Sequence, residues 1–244
     1  MRTLAGEELM DDRIPFLARV ESEDRSALLA LGRQLDFGAR TALIRQNEPS
    51  SHVLFLVQGW AKVTVSAANG YEALLALRGP GDIVGESAAL NGRPRAATVT
   101  ALEPVRALAV DRETFKEFLS RSPAVSLALL GLIADRTLAA DRRRLKFAAM
   151  NVRERFALLL LELARVHGRR TVEGIELTVP LSQQELAGAM GASREIVQRL
   201  LRELRDKGVV STGRRRLVIL RLDMLRRITP VGPASGIPHG SHAV

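Results

Sequence analysis

From Val53 to Val110 the apolar positions come in short runs or strict alternation, repeatedly cut by glycine: "HVLFLVQG", "AKVTVSAANG", "EALLALRGPG" and "AATVTALEPVRALAV". Runs of this length with turn residues between them predict a small β sandwich or roll. Within it "AANGYE" supplies an Asn-Gly hairpin turn with both residues at positive φ, and glycines 59, 70, 81, 85 and 92 fall at turn positions. The period then changes. Ser122 to Met150 reads as one long helix opened by Ser-Pro, with apolar Val125, Leu129, Leu132, Ile133, Leu138 and Leu145 and the charged stretch "DRRR" near its end. A helix that long needs a surface to lie on, which its length assigns both to its own roll and to its copy in a dimer seam. A second amphipathic helix, "VRERFALLLLELARVHG", ends at Gly168, and a short β segment follows around "IELTVP". The last helical pair is "SQQELAGAM" and "SREIVQRLLRELRDKG", after which "VVSTGRRRLVIL" reads as two strands around a Gly-Arg turn. The tail, "TPVGPASGIPHGSHAV", is rich in Pro, Gly and Ser and is expected to be disordered.

Composition adds compartment and partner. With 244 residues and 46% hydrophobic content the chain can fill one large or two ordinary cores. It has no cysteine, which removes disulfides, thiolate-held zinc and iron–sulfur clusters and fits a reducing cytoplasm. No apolar run reaches bilayer length and "MRTLAGEELMDDR" is too acidic for a signal peptide, so a cytoplasmic location away from membranes is expected. The net charge of +9 is unevenly spread: residues 1–140 carry 16 Lys+Arg against 17 Asp+Glu, and residues 141–244 carry 20 against 10. Basic character confined to the second part points to a nucleic-acid-binding module joined to a near-neutral partner. An enzyme reading finds little support. There is no Gly-x-Ser-x-Gly, Walker loop or His-Glu-x-x-His, and the histidines at 52, 167, 239 and 242 have no acidic or thiol companions nearby in sequence.

The last helical pair carries the clearest chemistry. Ser182 is an N-cap with Glu185 three residues on to complete a capping box, and Ser193 caps the second helix with Ile196 at its third position. "MGAS" between them places glycine at a tight reversal, the grammar of a helix-turn-helix. The second helix is expected to expose Arg194, Gln198, Arg199, Arg202 and Arg205 and to bury Ile196, Val197, Leu200, Leu201 and Leu204. Its first turn presents Arg194 and Glu195. Arginine forks suit guanine O6 and N7, and a carboxylate facing a polyanion makes sense where it accepts from cytosine N4. Arg214, Arg215 and Arg216 would form a basic wing.

"LSQQELAGAMGASREIVQRLLRELRDKGVV" closely resembles the winged helix-turn-helix of the CRP/FNR family of bacterial transcription regulators, above all in "GASRE" followed by Val197 and Arg199. The resemblance implies that Arg194, Glu195 and Arg199 read a TGTGA-type half-site. With them Ser182, Gln183, Ser193, Gln198 and the three wing arginines make up the expected double-stranded DNA contacts. It also implies a homodimer on a palindrome and RNA polymerase as a partner.

"GDIVGESAALNGRPRAATVTA" resembles the phosphate-binding cassette of that family and of cyclic-nucleotide-binding domains. A buried arginine needs a counter-charge, and Arg95, followed by small Ala96 and Ala97, has room beside it for a ligand phosphate. "ESAAL" fits one short helical turn whose free N–H groups, with Gly85, Ser87 and Ala88, would face the same phosphate, while Glu86 would accept from a ribose hydroxyl. The alternative is a direct Glu86–Arg95 salt bridge that ties the roll together without any ligand. Where the cyclic AMP-binding members offer hydroxyls to adenine, an ungapped alignment places Ala140 and Asp141. Aspartate accepts from an amino group but cannot donate, which opens the pocket to cyclic AMP, cyclic GMP or neither. Some regulators of this fold carry haem, for which His52 is the only candidate in the roll; a lone His at a strand start is more often structural.

These readings define an α+β chain. Residues 1–121 form an N-terminal extension and a cyclic-nucleotide-binding-like β roll, 122–150 a dimerisation helix, 151–228 a winged helix-turn-helix and 229–244 a tail. The expected function is a dimeric, sequence-specific, DNA-binding transcription regulator, controlled by a cyclic nucleotide as small-molecule effector. The alternatives are a ligand-independent regulator of the same fold and a nucleotide-binding module acting on a partner protein. No metal is expected.

Overall fold

The computed structural model describes residues 14–49, 51–213 and 216–229; the tail beyond Thr229 lies outside them. A 3₁₀ turn, Phe16–Arg19, and helix α1, Ser22–Ala30, lead into β1, Arg33–Phe37. The roll continues through β2 (Ala42–Ile44), β3 (His52–Gln58), β4 (Ala61–Ser66), β5 (Glu72–Arg78) and β6 (Ile83–Val84). After the short helix α2 (Glu86–Asn91) come β7 (Thr98–Ala101) and β8 (Val105–Asp111). Its strands form two antiparallel sheets, ordered β1-β8-β3-β6 and β2-β7-β4-β5.

Strand β3 explains why "VLFL", Val53 to Leu56, is an unbroken apolar run, with Val57 beyond it exposed. Leu54 and Leu56 point into the roll with Ile44, Val84, Val99 and Ala107. Val53 and Phe55 face the other way, onto Phe16, Leu28 and Phe115 and the first turns of the long helix. A strand covered on both faces has no position to give to water. The β4–β5 loop corrects one detail: among its residues only Gly70 has positive φ, and Asn69 instead accepts from the Tyr71 N–H through its side chain. The turn is therefore a wider loop with one left-handed residue, not a two-residue turn with both.

Helix α3 (Arg112–Arg121), which the sequence pattern did not separate from the roll, leads into α4 (Pro123–Ala149). Helix α4 has two apolar stripes. Val125, Leu129 and Leu132 sink into the layer beneath β3, with Ile133 packed at its edge. Leu127, Leu130, Leu138 and Leu145 stand exposed on the opposite side. By length and composition α4 is apolar enough to cross a bilayer, contrary to the reading of the apolar runs. The helix is nevertheless fixed to the roll, because Asp135 pairs with Arg19 and Arg136 pairs with Glu86.

Asn151 and Glu154 form a capping box that restarts the chain as α5 (Val152–His167). Strands β9 (Gly168–Arg170) and β10 (Ile175–Leu177) precede α6 (Gln183–Met190) and α7 (Arg194–Asp206). Strands β11 (Val210–Gly213) and β12 (Arg216–Ile219) and a last helix, α8 (Leu222–Arg226), complete the domain, whose sheet runs β11-β12-β10-β9. Leu74 and Leu77 of β5 belong to the same apolar core as α5, α6 and α7, so the roll and the C-terminal domain pack directly on each other. At that crossing Gly188 of α6 lies so near β5 that a Cβ there would meet the Glu72 carbonyl oxygen at 2.5 Å.

Candidate nucleic-acid interface and effector cavity

Helices α6 and α7 are built as their sequence dictates. The Ser182 side chain accepts from the Glu185 N–H while Glu185 accepts from the Ser182 N–H, closing the capping box. Gly191 takes the left-handed conformation that reverses the chain, and Ser193 accepts from the Ile196 N–H to start α7. Val197, Leu200, Leu201 and Leu204 are buried beneath α7; Ile196 is only half-buried, because it sits at the rim of this core. Arg194, Glu195, Gln198, Arg199, Arg202 and Arg205 are all exposed. Hydrogen bonding from Ser193, reinforced by the helix's first turn, holds the Glu195 carboxyl below its ordinary pKa. The helix tip therefore presents a persistent carboxylate between arginines, which can accept from an exocyclic amino group but repels phosphate.

The other expected DNA contacts divide. Ser182 and Gln183 line a cavity between α6, the β10–β12 sheet and the roll, where the Ser182 hydroxyl is already used as a cap. Arg214 and Arg215 lie outside the described residues. Arg216 is not a free wing cation: its guanidinium donates to Glu176 and Glu173, both at 3.0 Å. Those two acids raise its pKa and spend its charge inside the wing.

A second cavity, of about 280 Å³, opens between the roll and α4 and is lined by residues of the cassette. Gly85, Glu86, Ser87, Ala88, Arg95 and Ala96, all anticipated, come together there. Gly85 has φ +85°, a left-handed conformation that favours glycine, and a Cβ on it would crowd the Arg95 guanidinium. Arg95 is buried, and it donates to the Gly85 carbonyl at 2.9 Å and the His52 carbonyl at 2.6 Å. Burial pushes its pKa below the ordinary arginine value, against the pull of Glu86 and Glu48.

The direct Glu86–Arg95 salt bridge is not formed. The Glu86 carboxylate takes a salt bridge from Arg136 of α4 at 2.8 Å, and Arg136 also donates to the Ile83 carbonyl. Arg95, held by carbonyls on the far side of Gly85, is not hydrogen-bonded to it. Sequence reasoning missed Arg136, although helical spacing could have found it, since it precedes Ala140 by one turn on the same face. Ala139, Ala140 and Arg143 line the cavity with it, whereas Asp141 does not. One residue further round the helix, Asp141 is exposed and pairs with Arg144 at 2.9 Å. His52 Nδ1 lies 2.9 Å from the Ser51 hydroxyl, and burial lowers the imidazole's pKa.

A cavity in a β roll, a long helix crossing it and a capped helix pair with basic exposed side chains together define a two-module DNA-binding regulator. Residues 34–122 match the cyclic nucleotide-binding domain family and residues 154–228 the Crp-like helix-turn-helix domain. The cyclic AMP receptor protein of Thermus thermophilus is 34% identical over 161 residues, covering 66% of this chain and 71% of that protein. The CRP-like cAMP-activated global transcriptional regulator of Mycobacterium tuberculosis is 28% identical over 221 residues, 89% of this chain and 99% of its own. Among solved structures, the c-di-GMP responsive global regulator CLP of Xanthomonas campestris shares the fold with a TM-score of 0.75 at 21% identity, covering 82% of this chain and 99% of that one. The chain belongs to the CRP/FNR family of transcription regulators, and its modules are those of regulators and not of enzymes.

Proposed function

We propose that this regulator acts in the cytoplasm as a homodimer on a two-fold, TGTGA-like palindrome, with Arg194, Glu195 and Arg199 reading bases and a nucleotide of the cyclic-nucleotide class in the roll cavity as effector. The observation that carries the reading is the α7 tip, where a hydrogen-bonded carboxylate stands exposed between arginines on a helix fixed by its own cap. The effector rests on the cassette: Arg95 and Gly85 meet at the mouth of a cavity whose family model is that of cyclic nucleotide binding, and named relatives are cAMP-activated. The exposed leucine stripe of α4 supports the dimer, and RNA polymerase as a further partner rests on family membership alone.

Substitution of the reading arginine tests the core of this. Arg199→Ala is expected to cost about 1–3 kcal/mol per half-site and to relax preference at one base position, because a bidentate guanine contact is lost. A binding-site selection in which Arg199→Ala returns the wild-type sequence logo would show that α7 does not read bases this way.

A further inference from the structure

Every exposed side chain of α7 but one is charged. Arg194, Glu195, Arg199, Arg202, Arg205 and Asp206 stand in solvent, and among them Gln198 is the single neutral group. At about 100° per residue Gln198 falls between Arg194 and Glu195 around the helix, outside the buried stripe of Val197, Leu200, Leu201 and Leu204. Arg205 turns to the wing, where it donates to Thr212 at 2.9 Å, and the Glu195 carboxyl is hydrogen-bonded by Ser193. The Gln198 amide has no hydrogen-bond partner among the described residues.

The neighbours of Gln198 define what it faces on DNA. An ionised carboxylate repels a phosphate, so the patch around Glu195 is a poor seat for the DNA backbone and a good one for a base edge. Gln198 is three residues on from Glu195, which sets their Cβ atoms roughly 5–6 Å apart, and base pairs stack about 3.4 Å apart. A helix that brings Glu195 to one pair therefore brings Gln198, a side chain of the same length, to a pair one or two steps along. A neutral amide gains little from the field of the phosphates. It offers instead a donor and an acceptor side by side on one plane, and in the major groove only adenine presents the matching pair, its N7 acceptor beside its N6 donor.

We infer that Gln198 is a fourth base-reading residue, which selects an A·T pair one or two steps from the G·C pair read by Glu195, through a bidentate contact to adenine N6 and N7. This rests on the proposed base-reading role of α7 and extends it. Binding-site selection from random double-stranded DNA, run on the full chain and its Gln198 variants with and without cyclic AMP, tests the assignment position by position. The wild-type logo is expected to contain that A·T pair, and replacing the pair by G·C in one half-site should weaken binding at least about fivefold, the lower end for a bidentate contact. Gln198→Ala should lose preference at that pair alone and keep the G·C positions, and it should fold as the wild type does, since the site is exposed and alanine suits a helix. Gln198→Glu should turn the preference there toward cytosine, whose N4 donates to a carboxylate. A wild-type logo without the A·T pair, a Gln198→Ala logo that keeps it, or a Gln198→Ala variant that binds all sequences more weakly alike overturns the inference, while G·C positions retained in the logo leave the base-reading of α7 standing. If no sequence is selected in either condition, both readings fall together.

Discussion

Glu86 and Arg136 meet with only 8% and 17% of their side chains exposed, so each has given up most of its hydration for a buried ion pair. Removing one partner should therefore cost more than removing both. Glu86→Leu is expected to destabilise the protein by about 3 kcal/mol, the lower end for breaking a buried pair, because Arg136 keeps some contact with solvent. Glu86→Leu with Arg136→Met should recover most of that loss in urea unfolding, and a double variant no more stable than the single one would show that the pair is not coupled. The residue types of this site were legible in the sequence, since Gly85, Glu86 and Arg95 stand within one short stretch. Their pairing was not. The acid's partner comes from 50 residues further on, and a stretch read by itself offers only Arg95 as a candidate. Asp141 lies off the wall of this chain's cavity for a related reason: a one-residue step along a helix turns a side chain by about 100°, which moves it from the cavity to the exposed face.

At the scale of elements, α6 is held by one carboxylate with two duties. Glu185 closes the helix cap with Ser182 and also receives Lys62 of β4 at 2.8 Å, while Lys62 reaches Glu72 of β5 at 3.3 Å. Burial opposes ionisation of Glu185, but Lys62 and the Ser182 N–H outweigh it and hold the carboxyl below its ordinary value of 4.5. Burial likewise opposes the charge on Lys62, and the two glutamates more than compensate, lifting it above 10.5. A lowered acid stabilises the fold above its unfolded pKa and loses that contribution as pH falls through the folded one; a raised base stabilises below its unfolded pKa and loses it as pH rises through the folded one. The latch between roll and α6 should therefore be fully formed between about pH 4.5 and 10.5. Lys62→Met should flatten the fall in melting temperature seen on acidifying below that window, and an unaltered acid limb would mean that the latch contributes nothing. Helical periods made α4 to α7 readable from the sequence, with the Ser182 and Ser193 caps, whereas the Asn151–Glu154 capping box of α5 was not read. The split of α4 into a buried and an exposed stripe was not, because Leu129 and Leu130 are equally apolar and only the packed roll separates them. Helix α3 escaped notice because "RETFKEFLSR" is short, highly charged and buries only Phe115.

For the whole molecule, the roll cavity and α7 are joined by packed structure and not by a loose linker. Strand β5 carries Arg78 into the cavity and Leu74 and Leu77 into the core that supports α6 and α7, and Trp60 lies edge-on to His167 of α5 with ring centroids 4.4 Å apart. An effector bound in the roll cavity, as proposed, would act on the platform of α7 through this packing. The remaining apolar surface bears on the proposed dimer. Leu127, Leu130, Leu138 and Leu145 lie 53–69% exposed along one side of α4, at helical spacing that a second copy of the same helix would cover. Leu130→Glu should accordingly give a monomer in sedimentation, with Val125, Leu129 and Leu132 still packed on the roll. A two-fold dimer then presents its α7 helices to successive turns of one DNA face, with half-site centres about 34 Å apart, or 10–10.5 base pairs. Inserting five base pairs between half-sites rotates one of them to the opposite face, and only one α7 can engage. Affinity for that DNA should drop at least about tenfold, to the level of a single half-site, for the wild-type dimer, while the Leu130→Glu monomer should not distinguish the two spacings. Equal affinity of the wild-type protein for both DNAs would mean that each chain reads its half-site alone and that the α4 stripe is covered by something other than a second copy.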